Sequence, residues 1–278
     1  AGLPQIICRH FACEERDIDL SDWQVFLENR ARVDGEVTIA VCGKYVKHQD
    51  AYKSVVEALT HAAIGQKKKL NIKWVDSERN LQGEDLQREL AGINGILIPG
   101  GFGVRGIEGK ISIARYAREQ KIPLLGICLG MHVMAIECAR NMCGFADANS
   151  TEFDELNAHP VIHLMEDQRY IDFVGASMRL GAYKCKLAKD SLAFKAYQNE
   201  VISERHRHRY EFNNDYRAPI SEAGMKLSGL SMNDLLVEVM EYPANDFYIG
   251  VQFHPEFKSR PNRPHPLFTE LIRASLKV

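Results

Sequence analysis

The chain lacks the marks of several protein classes. Among its 278 residues no apolar run is longer than a short strand-like piece, so no membrane-spanning helix is expected. Neither sign of charge dominates. Thirty-five Lys and Arg stand against 37 Asp and Glu, a formal net charge of −2, which excludes a nucleic-acid or membrane-surface role driven by bulk charge. No signal peptide is visible at the start, which reads Ala1-Gly2 without Met. No glycine run ends in the Gly-Lys-Ser/Thr of a phosphate-binding loop, and there is no internal repeat or low-complexity segment. The seven cysteines (Cys8, Cys13, Cys42, Cys128, Cys138, Cys143 and Cys185) are scattered, with no CxxC pair. A reducing, cytoplasmic setting with mostly buried thiols is expected. The remainder is ordinary, at 45% hydrophobic and 26% charged residues, in a chain long enough to bury a full core.

The pattern changes along the chain. In residues 1–35 an irregular stretch with cysteines and charges precedes a predicted helix over Asp17 to Arg32. There Leu20, Trp23, Gln24 and Leu27 recur at helical spacing, and Ser21 or Asp22 would cap it. This segment reads as a tail or linker helix, with the compact domain over residues 36–278. From Glu36 apolar β-rich runs (37–42, 70–75, 95–98, 122–127) alternate with helical patterns (51–64, 111–118, 129–140). Strands apolar on both faces and separated by helices predict an α/β fold: a mostly parallel central sheet with helices on both faces. Beyond about residue 155 strands follow one another mostly without helices, over 161–165, 177–186, 201–210, 225–230, 235–240 and 247–253. They predict an antiparallel extension of the sheet, before a last helix over 267–276 opened by Pro264 or Pro266.

Three segments carry chemistry. Gly126-Ile127-Cys128-Leu129-Gly130 lies where a buried strand meets a helix. A nucleophile on so sharp a turn needs small residues two positions to either side. Cys128 would sit at a helix N-terminus, which favours a thiolate, and at the carboxyl edge of the sheet, where open α/β folds bind ligands. Alone, the pentapeptide equally fits a small buried cysteine between structural glycines. The second segment, Gly250 to Glu256, ends an apolar strand in His254-Pro255-Glu256. Pro255 pushes His254 into extended conformation, where residues two apart face one side. His254 and Glu256 would then serve Cys128 as base and orienter. The third, Pro99-Gly100-Gly101-Phe102-Gly103, follows another strand, and its N–H groups would form an oxyanion hole with the amide of Leu129. The run Arg205 to Arg209 splits, as a strand, into an arginine face and a His206/His208 face. With no further partner nearby it predicts neither a metal site nor a nucleic-acid patch.

In this order the three segments resemble the triad-type (class I) glutamine amidotransferase domains. Gly43-Lys44-Tyr45, Asp50 to Val55, Gly100 to Gly106, Asn149 to Phe153, Met178 to Gly181 and Glu204 to Glu211 narrow the resemblance to those of the CTP synthases. It covers residues 36 to the C-terminus, and residues 1–35 look like that family's linker from an N-terminal synthetase domain. The resemblance implies that Cys128 attacks the side-chain amide of L-glutamine, that His254 handles protons and that Glu256 orients it. Gly101 and Leu129 supply the oxyanion hole. Gly101, Leu129, Gly130, Met131, His132, Glu152 and Arg209 fall on glutamine-contacting positions, though His132 stands where the family usually has Gln. It further implies a GTP-linked loop holding Phe102 and Arg105. No cofactor or metal is implied in this domain. ATP, Mg²⁺ and UTP would be used by the synthetase domain of the same polypeptide, with GTP as activator, in a full-length homotetramer without nucleic-acid or membrane partners.

Overall fold

The computed structural model describes residues 2–14, 19–164 and 178–278. Two helices lead in, α1 (Leu3–His10) and α2 (Ser21–Ala31). The first occupies the stretch expected to be irregular; Pro4 suits its first turn. The second starts at Ser21 itself, with Leu20 as the capping residue and no side-chain cap. Asp19 accepts the Ser21 N–H at 2.9 Å instead. Asp17, the expected start, lies outside the described residues. Leu20, Trp23 and Leu27 are exposed.

The central layer is a nine-stranded sheet. In chain order its first half comprises β1 (Glu36–Gly43), α3 (Lys53–Gly65), β2 (Lys69–Asp76), α4 (Gly83–Glu89), β3 (Gly95–Ile98), α5 (Ile107–Glu119), β4 (Leu124–Ile127) and α6 (Leu129–Asn141). There follow β5 (Asn149–Ser150), β6 (Pro160–Leu164), β7 (Arg179–Leu187), α7 (Leu192–Tyr197), β8 (Val201–His208), β9 (Tyr210–Phe212) and α8 (Arg217–Glu222). Last come β10 (Lys226–Ser231), β11 (Val237–Glu241), β12 (Tyr248–Val251) and α9 (Pro266–Ser275). The sheet order is β2-β1-β3-β4-β12-β11-β10-β7-β8. The pairs from β2 to β12 are parallel and those from β12 to β8 antiparallel. The expected mixed sheet is present. Alternate residues of the strands feed two cores. Ala40, Cys42, Ile96, Ile98 and Leu124 pack towards α5 and α6. Val37, Ile39, Val41, Leu97, Leu125 and Ile127 pack towards α3 and α9.

Three features depart from the sequence expectation. The run from Val201 to Tyr210 is not one strand: the chain leaves the large sheet after His208, and β9 pairs antiparallel with β6 in a separate sheet, β5-β6-β9. The strand expected over 161–165 belongs to that small sheet, with Met165 outside the described residues, as is Ser177 before β7. Finally, α4, α7 and α8 are short helices with too few turns to show a periodicity.

Register sets the site. Ile98 pairs with Gly126, and Val251 with Ile127, so β3, β4 and β12 end side by side and deliver Gly100, Cys128 and Gln252 to one edge. The elbow needs its glycines. A Cβ on Gly130 would lie 2.4 Å from the Ile98 carbonyl oxygen, and one on Gly126 2.8 Å from the Gly130 carbonyl carbon. Gly130→Ala should therefore destabilise the domain by about 1–3 kcal/mol, as overpacking does, read as a lower urea midpoint at unchanged slope.

Candidate active site

Cys128 is the N-cap of α6, with φ 51° and ψ −102°, a strained backbone for a residue with a Cβ. Its N–H donates to the Val251 carbonyl at 2.7 Å, which ties the turn to β12. The side chain is 3% exposed. Across the sheet edge His254 is anchored by its own N–H to the Arg205 carbonyl (2.8 Å). Its Nδ1 meets Glu256 Oε1 at 2.8 Å. Its Nε2 is buried without a hydrogen-bond partner of its own among the described residues, and Cys128 is a close neighbour of the ring. A Cβ on Gly100 would touch both, 2.9 Å from His254 Cε1 and 3.6 Å from Cys128 Cβ. Only glycine leaves room there. Phe257 stacks on the imidazole at 5.3 Å between ring centres.

The contact between His254 and Glu256 is made differently from the expectation. The strand ends at Val251, and Pro255–Lys258 form a 3₁₀ turn capped by His254. The turn, not strand alternation, folds the carboxylate back onto Nδ1. Burial works against a charge on His254, but the Cys128 thiol and the Glu256 carboxylate beside it prevail, and its pKa is raised to about 10. At neutral pH the imidazole is held protonated between a thiol and a carboxylate. That arrangement can stabilise a thiolate and hand a proton to a leaving group.

A cavity of about 330 Å³ is lined by Pro99 to Phe102, Cys128, Arg207, His254, Glu256 and Phe257, together with Tyr45, Ala51, Tyr52 and the first turn of α3. Gly101 is in its wall, and Leu129, whose amide opens α6, packs its side chain against Gly101. A scan against protein-family models matches the description "Glutamine amidotransferase class-I" over residues 47–274. The chain belongs to the class-I glutamine amidotransferase family. It is 50% identical over 277 residues to a CTP synthase of Clostridium acetobutylicum, covering 100% of this chain and 52% of that relative. To one of Nostoc punctiforme it is 48% identical, covering 100% and 51%. The chain thus spans about half the length of the curated relatives it matches. Among solved structures, a Trypanosoma brucei CTPS glutaminase domain with bound acivicin superposes with a TM-score of 0.82 at 39% identity, over 87% of this chain and 94% of that one.

Within this amidotransferase domain the other expected contacts are placed less uniformly. Glu152 is not in the wall of the triad cavity. Its Oε1 accepts the Gly103 N–H at 2.8 Å, and burial raises its pKa against the pull of that N–H, Lys44 and Arg209. Arg209 lies beyond β8, its Nε buried without a partner among the described residues. Gly130 and Met131 form the first turn of α6, the Met131 side chain in the core. His132 does not reach the cavity either. It is buried one turn along α6 from Cys128, with Nε2 on Gln252 Oε1 at 2.8 Å. Phe102 is half exposed on the glycine loop, where Lys44 Nζ donates to its carbonyl. Arg105 makes a two-point ion pair with Glu78 at 2.7 and 2.8 Å.

Two further charged residues lie at or near the cavity without having been singled out as site residues in the sequence. Lys110 of α5 is fully buried close behind Gly101, its pKa lowered to about 8 by burial and then by Lys44, against the charges of Cys42, Cys128 and Glu152. In sequence it is one more basic residue on a helix. Arg207, in the cavity wall, could be found from the period-two arginine face of β8. Among the described residues no group of three metal-binding side chains comes together, and no helix is long and apolar enough to cross a membrane.

Proposed function

We propose that this domain hydrolyses the side-chain amide of L-glutamine. The observation that carries the reading is His254, bound to Glu256 through Nδ1 and set beside the elbow cysteine. The Cys128 sulfur adds to the amide carbon, and the oxyanion is held by the N–H groups of Gly101 and Leu129. The tetrahedral species collapses as His254 gives its proton to the departing nitrogen, leaving ammonia and a γ-glutamyl thioester. Water, deprotonated by His254, attacks the thioester, and glutamate and the free thiol are restored. Glu256 keeps the imidazole oriented and its charge stabilised. Ammonia release measured with glutamine and with γ-glutamyl peptides tests this reading. Release from glutamine alone is the expected result; turnover of the peptides in its place would reassign the site to peptide hydrolysis.

Glu152 and Arg209 are offered as the contacts for the substrate's ammonium and carboxylate, with the Leu129 to Met131 backbone. Lys44 and Arg209 hold the Glu152 carboxylate against its burial. Glu152→Gln should raise KM for glutamine about 10–100-fold with a smaller change in kcat, the cost of losing a charge-assisted bond. By similarity to the CTP synthases, the ammonia would serve the ATP- and Mg²⁺-dependent amination of UTP to CTP by the synthetase domain of a longer, homotetrameric protein. GTP would act through the loop that carries Phe102 and Arg105.

A further inference from the structure

Behind the nucleophile, away from the cavity, lies a second polar contact that the hydrolytic steps above do not use. Gln252 directly follows β12, whose pairing with β4 sets it beside Cys128. Its Nε2 lies 3.8 Å from Cys128 Sγ, and its Oε1 2.8 Å from His132 Nε2. His132 stands one turn along α6 from Cys128, on the same helix face. Both side chains are essentially solvent-free, Gln252 at 0% and His132 at 3% exposure. We propose that His132 and Gln252 form a buried relay that positions the nucleophile, His132 Nε2–H donating to Gln252 Oε1 and the Gln252 NH₂ in turn donating to the Cys128 sulfur.

The direction of the relay follows from hydrogen-bond inventory. A thiolate accepts and donates nothing, so the amide must turn its NH₂ to the sulfur and its oxygen to His132. That oxygen needs a donor. A neutral imidazole has one N–H, and burial lowers the His132 pKa to about 4 despite the bond to Gln252. His132 Nδ1 is buried without a partner among the described residues, so the single proton belongs on Nε2. His254 and, from α5, Lys110 also interact with Cys128, and the charge of His132 is felt by His208 of β8. The position that the family resemblance marks for substrate contact is in this chain turned to the nucleophile. His132 and Gln252 are positioning residues, and their role rests on Cys128 being the nucleophile.

The test compares His132→Phe, His132→Gln and Gln252→Met with the parent protein. Three quantities are read: the pH dependence of Cys128 alkylation by iodoacetamide, mapped by peptide mass, the kcat and KM for glutamine, and the melting temperature. Loss of a donor to the thiolate, or of the bond that aims that donor, moves its titration upward. In His132→Phe and Gln252→Met the alkylation curve should therefore move up by about one pH unit, lowering alkylation and kcat at neutral pH about tenfold, with KM within about twofold. His132→Gln, which keeps a donor, should restore both. A fall in melting temperature with an unmoved alkylation curve would reduce the pair to packing. A raised KM with unchanged kcat would make His132 a substrate contact. Both overturn the relay. Nitrogen NMR of the unmodified protein decides without any variant: the relay requires the neutral Nε2–H tautomer of His132 at pH 7, and an Nδ1–H or doubly protonated ring contradicts it. Glutamine hydrolysis that survives Cys128→Ser would refute the nucleophile assignment separately, because alkylation reports on the relay whatever the substrate.

Discussion

Cys128→Ala is expected to release ammonia from glutamine about 10⁴–10⁶-fold more slowly than the parent protein, the scale on which loss of a nucleophile acts in comparable triads. The fold should be nearly untouched. The substitution removes one sulfur at the rim of a cavity, leaves the Cβ contacts, and keeps the φ of 51° that any residue with a Cβ must adopt there. Rate and melting temperature measured on one preparation separate the two effects. A variant that unfolds together with its lost activity would not support the assignment, whereas a folded, inactive one would.

The second large effect concerns the proton carrier. His254→Ala should cost about as much as loss of the nucleophile, because among the described residues no other imidazole lines the cavity. Glu256→Gln should cost about 10²-fold less. Its direction with pH follows from the charge it removes. The carboxylate at 2.8 Å favours the protonated imidazole, whose pKa is raised to about 10. An amide there disfavours that charge, so the pKa falls. The proton needed by the leaving ammonia is then lost at lower pH, and the alkaline limb of the rate profile should move downward. Rates for both variants over about pH 6 to 10 read this out. A Glu256→Gln profile superimposable on that of the parent would reduce the triad to a Cys–His pair, with Glu256 a turn residue after Pro255.

Much of this was legible in the residues because burial leaves a strong trace. Ile39 to Cys42 and Leu124 to Ile127 are buried on both faces, so they carry no polar side chain, and that pattern yields a parallel sheet with its helices. The elbow was legible for a steric reason: Gly126 and Gly130 are where backbone meets backbone. What stayed hidden depends on distance in space between parts distant in sequence. The turn of Pro255–Lys258 replaces the extended chain that Pro255 alone suggested. Arg209 marks where the chain quits one sheet for another, which depends on the partner β6 and not on the local pattern. Lys110 and Gln252 look like ordinary surface and strand residues until α5 and β12 are placed against the glycine loop and the elbow. The resemblance to the family supplied Glu152, whose local sequence offers only an acid in a polar loop.

In the proposed function one activated thiol among seven attacks bound glutamine. The cysteines differ enough for a direct test. Burial pushes the thiols of Cys42, Cys138 and Cys185 far above their ordinary range and raises that of Cys143, whereas Cys128 borders the cavity beside a protonated imidazole. The measurement is peptide mapping after reaction with a glutamine analogue that carries an electrophile in place of the amide, with and without excess glutamine. The account predicts a single adduct on Cys128 that glutamine suppresses. Dominant labelling of Cys42, Cys138, Cys143 or Cys185, or labelling of Cys128 that glutamine leaves unchanged, would contradict it.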